Sequence, residues 1–209
     1  MKVVIVSDIH LGSWGSEKDK FLDFIKDLEA DHLILNGDIY DLYLGDPSFN
    51  IFDNIRENQK IVKITYVIGN HDSNISDFFP SENFVKEVSL DDNIVVSHGA
   101  EFDYLLKEDF AKSGFWVIVK YWIEKIFKKN FKLWLNKTFI GNIITKKLLE
   151  CQEKAIAFYP NKRVIIGHTH IPMCSHPKYN SGGFVDGLSY YIVINYLNGV
   201  GTITQGKVV

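Results

Sequence analysis

The sequence predicts an α/β protein, and three observations predict it. Short apolar runs alternate with longer amphipathic ones through most of the chain. The amphipathic stretches repeat their apolar residues at helical spacing. Five of the short runs end in polar groups able to bind a ligand, which is where open α/β sheets place their sites.

The elements follow in order. Val3–Val6 is a buried first strand, stopped at once by Ser7-Asp8 and too short to be the apolar core of a secretory signal. Lys18–Leu28 carries Phe21, Leu22, Ile25 and Leu28 at helical spacing. His32–Leu35, Ile64–Ile68, Asn93–Ser97 and Arg163–Ile166 read as further strands, and Phe49–Asn58 as a second helix. This rhythm indicates a parallel-rich sheet covered by helices. Near the end, Tyr190–Leu197, Asn198-Gly199 and Val200–Gln205 read as a hairpin with a two-residue turn.

The bulk numbers exclude little but bound the rest. With 209 residues, 46% hydrophobic and 23% charged, the chain suits a single domain, 1–209, with room for an insertion. A formal charge of −3 implies no partner. Cys151 and Cys174 supply neither a disulfide framework nor a paired ligand motif, so a reducing compartment is expected. No apolar stretch approaches the ~18 residues of a spanning helix. A cytoplasmic location is the expectation, with contact at the inner face of the membrane as its variant.

One region breaks the rhythm and is expected to be an inserted helical cap, about 103–158. Lys112 to Lys147 contains nine lysines against one acid, Glu124, so the charge of −3 divides into +8 there and −11 elsewhere. Three of the four tryptophans, Trp116, Trp122 and Trp134, lie in it. Lys125, Lys128, Lys129 and Lys132 share one helical face, while Ile123, Ile126, Phe127 and Trp134 lie mainly elsewhere. Such a helix either packs on its neighbour with solvated lysines outside, or meets an anionic membrane or an acyl chain. Nucleic acid is a weaker partner, because lysine without arginine reads bases poorly.

The chemistry sits in five motifs: SDIH (Asp8, His10), NGDIYD (Asp38, Asp41), GNHD (Asn70, His71, Asp72), SHG (His98) and GHTH (His168, His170). They hold five of the seven histidines. Alone, each reads as easily as a turn or a helix cap; five such turns at five strand ends without a metal do not. Carboxylate and amide oxygens mixed with imidazoles suit Mn²⁺, Fe or Zn²⁺ better than an all-oxygen cage suits Mg²⁺ or Ca²⁺. One aspartate can bridge two cations ~3.5–4 Å apart. Gly37, Gly69, Gly99 and Gly167 adjoin these motifs and let the backbone approach the ions. Asp41 serves either a ligand's water shell or a cap of the next segment. His32 and His176 read as structural or solvated, Cys151 as core and Cys174 as incidental.

In order and spacing these motifs resemble the calcineurin-like metallophosphoesterases. The resemblance covers the chain outside the cap and implies a two-sheet β-sandwich flanked by helices. It implies that Asp8, His10 and His170 hold one divalent cation, Asn70, His98 and His168 a second, and that Asp38 bridges them. His71 would be the proton donor to the leaving oxygen or a stabiliser of charge on phosphorus, its ring oriented by Asp72, while a water acidified by the cations attacks phosphorus. Asp41 and Lys146 are the expected substrate contacts. SDIHLG, GDIYDLYLGD and GHTHIP, with the helical insert, are similar to the UDP-2,3-diacylglucosamine pyrophosphatases. HGAEFD and YNSGGFVDG are closer to that group's less characterised relatives. The lipid A enzymes have arginine where this chain has His71 and aspartate where it has Ala100. The implied activity is dimetal hydrolysis of a phosphoanhydride or phosphodiester, possible substrates being a UDP-sugar lipid or, alternatively, cyclic nucleotides and nucleic-acid ends. A metal-bound scaffold without turnover is the reading from another class.

Overall fold

The computed structural model describes residues 1–47, 49–103 and 139–208. Two stacked sheets carry the chain. The first contains β1 (Lys2–Val6), β2 (Ala30–Asn36), β3 (Ile61–Val67), β4 (Phe84–Val85), β10 (Tyr190–Leu197) and β11 (Val200–Lys207), in the order β11-β10-β1-β2-β3-β4. The second contains β5 (Glu87–Asp91), β6 (Ile94–Ser97), β7 (Arg163–Ile166), β8 (Met173–Ser175) and β9 (Lys178–Asn180), in the order β5-β6-β7-β9-β8. The single parallel-rich sheet read from the apolar runs is thus two sheets, as the family resemblance implied. β1, β2 and β3 pair in parallel, as do β6 and β7, while β10 returns antiparallel to β1.

Side chains of a strand alternate between faces, and this sorts the core into layers. Val4, Val6, Leu33 and Leu35 face α1 (Lys18–Asp27) and α2 (Ile51–Glu57), meeting Phe21, Ile25, Phe52 and Ile55. Val3, Ile5, Ile34 and Val67 turn the other way, onto Ile94, Val96 and Ile165 of the second sheet. On that sheet's outer face Val95, Val164 and Ile166 pack against Phe102, Cys151 and Ala155. The last two belong to α3 (Phe139–Phe158). Strands covered on both faces need no polar side, which is why they read as continuous apolar runs.

Of the expected cap, α3 is described. Trp116, Trp122, Trp134 and the lysine face at 125–132 lie outside the described residues, as does Ser48. Among the described residues no helix is long and apolar enough to cross a membrane.

Candidate metal centre

The five motifs converge on the seam between the sheets. Asp8 and His10 follow β1, Asp38 and Asp41 follow β2, and Asn70 and His71 follow β3; His98 leaves β6, and His168 and His170 leave β7. Cross-sheet hydrogen bonds hold the seam. Asp8 Oδ2 accepts the His168 amide at 3.0 Å, the Asn36 side-chain amide donates to Ser97 O at 3.0 Å, and His98 Nδ1 lies 2.9 Å from Asn36 O. Close approach requires glycine in the loops. A Cβ at Gly37 would collide with the His98 ring, and one at Gly69 with the Asp38 carboxylate.

Three groups of ligand atoms result among the described residues; that of His10, Asp41 and His71 shares His10 with the first of the two that hold the expected ligands. In the first, His170 Nε2 lies 3.2 Å from Asp8 Oδ1 and 3.1 Å from His10 Nε2. In the second, Asp38, His98 and His168 bring one ligand atom each to within 4.8 Å of one another. Asp38 stands between the groups: its Oδ2 is 3.3 Å from His98 Nε2 and 3.9 Å from His10 Nε2, while Oδ1 accepts the His71 amide at 2.8 Å. Asp8 and Asp38 therefore each spend one oxygen on the fold and turn the other into the site.

The imidazoles divide their nitrogens in the same way. His98 anchors Nδ1 on a carbonyl, and His168 places Nε2 2.9 Å from Asp103 Oδ2. Four expected ligands then present a buried atom with no hydrogen bond: Asp8 Oδ1, Asn70 Oδ1, His98 Nε2 and His168 Nδ1. Buried polar atoms left unpaired are costly, and four aimed at one seam fit divalent cations that accept both oxygen and imidazole donors. The electrostatics agree. Burial alone would raise the carboxyls of Asp8 and Asp38, but the facing imidazoles, His170 for the first and His98 for the second, outweigh it and lower both. Burial works to lower His98, yet Asp38 and Asp8 raise it to about 10. Protons would thus compete with a bound cation for the same atoms.

Five expected ligands also hold left-handed backbone. Asp8, His10, Asp38, His168 and His170 have φ of 51°, 50°, 52°, 59° and 56°. Non-glycine residues adopt this region rarely, and clusters of them mark functional sites.

Two expected roles are exchanged. Asp72 does not orient His71. It is fully buried, and its carboxylate accepts hydrogen bonds from the amides of Gly69 and Ile39 and the hydroxyl of Tyr66, at 2.7, 2.8 and 2.5 Å. It welds the loops after β2 and β3 together. Asp41 takes the role instead, with Oδ1 3.1 Å from His71 Nδ1 and Oδ2 3.7 Å from His10 Nδ1. Burial would raise its carboxyl, but hydrogen bonds from His10 and His71 hold it well below the usual range. Asp41 is thus shared between two imidazoles, and it makes no side-chain cap of the turn that follows. Lys146 is exposed on α3. His71 lies at the rim, edge-on to His10 and to Tyr43 at 4.6 and 5.0 Å between ring centroids. Two residues escaped the sequence reading: Tyr43, whose hydroxyl donates to Asn70 O, and Asp103, within the HGAEFD stretch.

Three comparisons with known proteins bear on this site. No curated protein matches the chain. Among solved structures, a single mutant of Vps29 from Entamoeba histolytica shares 12% identity at a TM-score of 0.47, covering 99% of both chains. Vps29 from Cryptosporidium parvum shares 14% at 0.47, covering 99% of this chain and 96% of that one. Thermotoga maritima protein TM1076 shares 16% at 0.44, covering 99% and 98%. The family model described as the calcineurin-like phosphoesterase superfamily domain matches residues 1–116, more than half of the chain and seven of the nine motif residues that the sequence nominates as ligands or acid groups. The chain belongs to the calcineurin-like phosphoesterase superfamily.

Proposed function

We propose that the protein is a phosphohydrolase that uses two divalent cations, Mn²⁺ first with Fe or Zn²⁺ as alternatives, to cleave a phosphoanhydride or phosphodiester bond. The observation that carries this reading is the pair of ligand groups meeting at Asp38 Oδ2, with His71 at their rim. Asp8, His10 and His170 would hold one cation, and Asn70, His98 and His168 the other, with Asp38 between them. Bound there, divalent cations supply an acidified water and withdraw charge from the phosphoryl oxygens.

The chain's own side chains supply the rest. Asp41 fixes Nδ1 of His71, so proton transfer to the leaving oxygen falls to Nε2. The same carboxylate steadies His10, tying the proton donor to a ligand of the first group. Asp72 keeps the two loops in register and takes no part in transfer.

The substrate class rests on the sequence similarity to the UDP-2,3-diacylglucosamine pyrophosphatases, and a UDP-sugar lipid is the substrate we propose, met at an anionic membrane through the lysine- and tryptophan-rich segment. The test is an Mn²⁺-supplemented hydrolysis panel of UDP-diacylglucosamine, other nucleotide diphosphate sugars, bis(p-nitrophenyl) phosphate and single-stranded DNA, with and without anionic liposomes. Hydrolysis of the UDP lipid, quickened by liposomes, supports the reading. Preference for DNA turns it toward a nuclease. Two bound cations with no turnover of any substrate leave the scaffold.

A further inference from the structure

We propose that Asp103 is a positioning residue that sets the affinity of one of the two cation sites by holding His168. The proposal rests on the metal-binding reading above. His168 Nε2 lies 2.9 Å from Asp103 Oδ2, and both side chains are less than a tenth exposed. The opposite nitrogen, Nδ1, is buried without a hydrogen bond. A carboxylate at one ring nitrogen keeps the proton there, leaves the lone pair on the other and fixes the ring plane. His168 is thereby prepared to bind through Nδ1.

The carboxylate is delivered by a rigid turn. After His98, Gly99 takes φ +100° and opens a single 3-10 turn, Ala100–Phe102. The Asp103 amide closes it on Ala100 O at 3.1 Å. Phe102 is buried, with its ring 5.5 Å from Phe158 and 6.2 Å from Tyr159. The Cys151 thiol donates to Gly99 O at 3.3 Å, so α3 grips the turn at both ends. Six residues thus supply one ligand, His98, and the holder of another, His168, whose rings meet edge-on at 5.4 Å. The other acid of the turn, Glu101, is exposed and accepts the Ser97 hydroxyl instead.

The two cation sites are unequal in this respect. Asp103 touches the group of Asp38, His98 and His168 and is not among the ligand atoms of the other. Its loss therefore weakens one site selectively. Asparagine keeps the shape and an acceptor oxygen but not the charge, so it recovers part of what alanine loses.

The experiment is calorimetric titration of the chelator-stripped full chain with Mn²⁺, with electron paramagnetic resonance to separate coupled Mn²⁺ pairs from isolated ions. Wild type, Asp103→Ala and Asp103→Asn are compared, and melting is measured without metal. The expected result is two sites in wild type. In Asp103→Ala one of them is unchanged and the other is weakened ~10–100-fold, with isolated ions replacing coupled pairs. Asp103→Asn falls between, and stripped melting temperatures match for wild type and Asn. Wild-type affinities at both sites in both variants, or equal loss at both, overturn the proposal while leaving the metal reading intact. A wild-type protein that binds no Mn²⁺ overturns both.

Discussion

His170 offers a measurement of the strain stored in the ligand loops. Its φ is +56°, and its ring is mostly buried beside His10. Alanine at this position keeps a Cβ in the left-handed region, at a cost of ~1–2 kcal/mol. Glycine removes that cost but gives back ~0.5–1 kcal/mol through its larger unfolded ensemble. Both substitutions remove the imidazole, so the difference between them isolates the backbone. Glycine should be the more stable of the two by about 0.5–1 kcal/mol; at a position of ordinary φ the sign is reversed. The assay is urea unfolding of His170→Gly and His170→Ala under chelator, with stability read from midpoint and slope. An alanine variant as stable as the glycine variant, or more so, would refute the idea that the ligands are held in strained backbone.

Other outcomes follow from the same geometry. Asp72→Ala strands the buried donors of Gly69, Ile39 and Tyr66 and should cost ~3–4 kcal/mol in urea unfolding; a loss below ~1 kcal/mol would return Asp72 to a merely local role. His71→Ala should leave metal content unchanged and lower turnover ~10²–10⁴-fold, and an undiminished rate removes His71 from proton transfer. His32, hydrogen-bonded to Thr65, is lowered from 6.5 to about 4 by burial and then by Lys63. Its folded form resists protonation, so its contribution is fully present above pH 6.5 and is lost as pH falls toward 4. Solvent screening reduces the full value to ~1–2 kcal/mol. His32→Asn should flatten stability across that window, and an unchanged slope counts against the assignment.

The strands that frame the site were legible because burial on both faces leaves unbroken apolar runs, as in Val3–Val6 and Arg163–Ile166. β4 has two residues, and β8 and β9 three each, too few to show a period. The division into two sheets was hidden for another reason. It depends on β10 pairing with β1 across nearly the whole chain, and a local pattern carries no pairing information. The ligand candidates were legible because each follows a strand at once. The exchange between Asp72 and Asp41 was not. GNHD sets Asp72 beside His71 in sequence, but its carboxylate is spent on the loops after β2 and β3; the acid that reaches the ring lies 30 residues earlier. Asp103 was obscured similarly, since only the turn after Gly99 brings it to His168.

The seam between the sheets would give cations bound there a second office. Asp8 and His10 come from the first sheet and His170 from the second; Asp38 and Asn70 come from the first, His98 and His168 from the second. A cation held this way would be a rivet through both halves of the sandwich, joining segments as distant in sequence as residues 8 and 170. A ligand that binds the folded chain alone raises its stability by mass action, and a riveted seam transmits that gain to both sheets together. Loading would therefore slow amide exchange in β6 and β7 as much as in β1 and β2, and chelation would let the halves breathe apart.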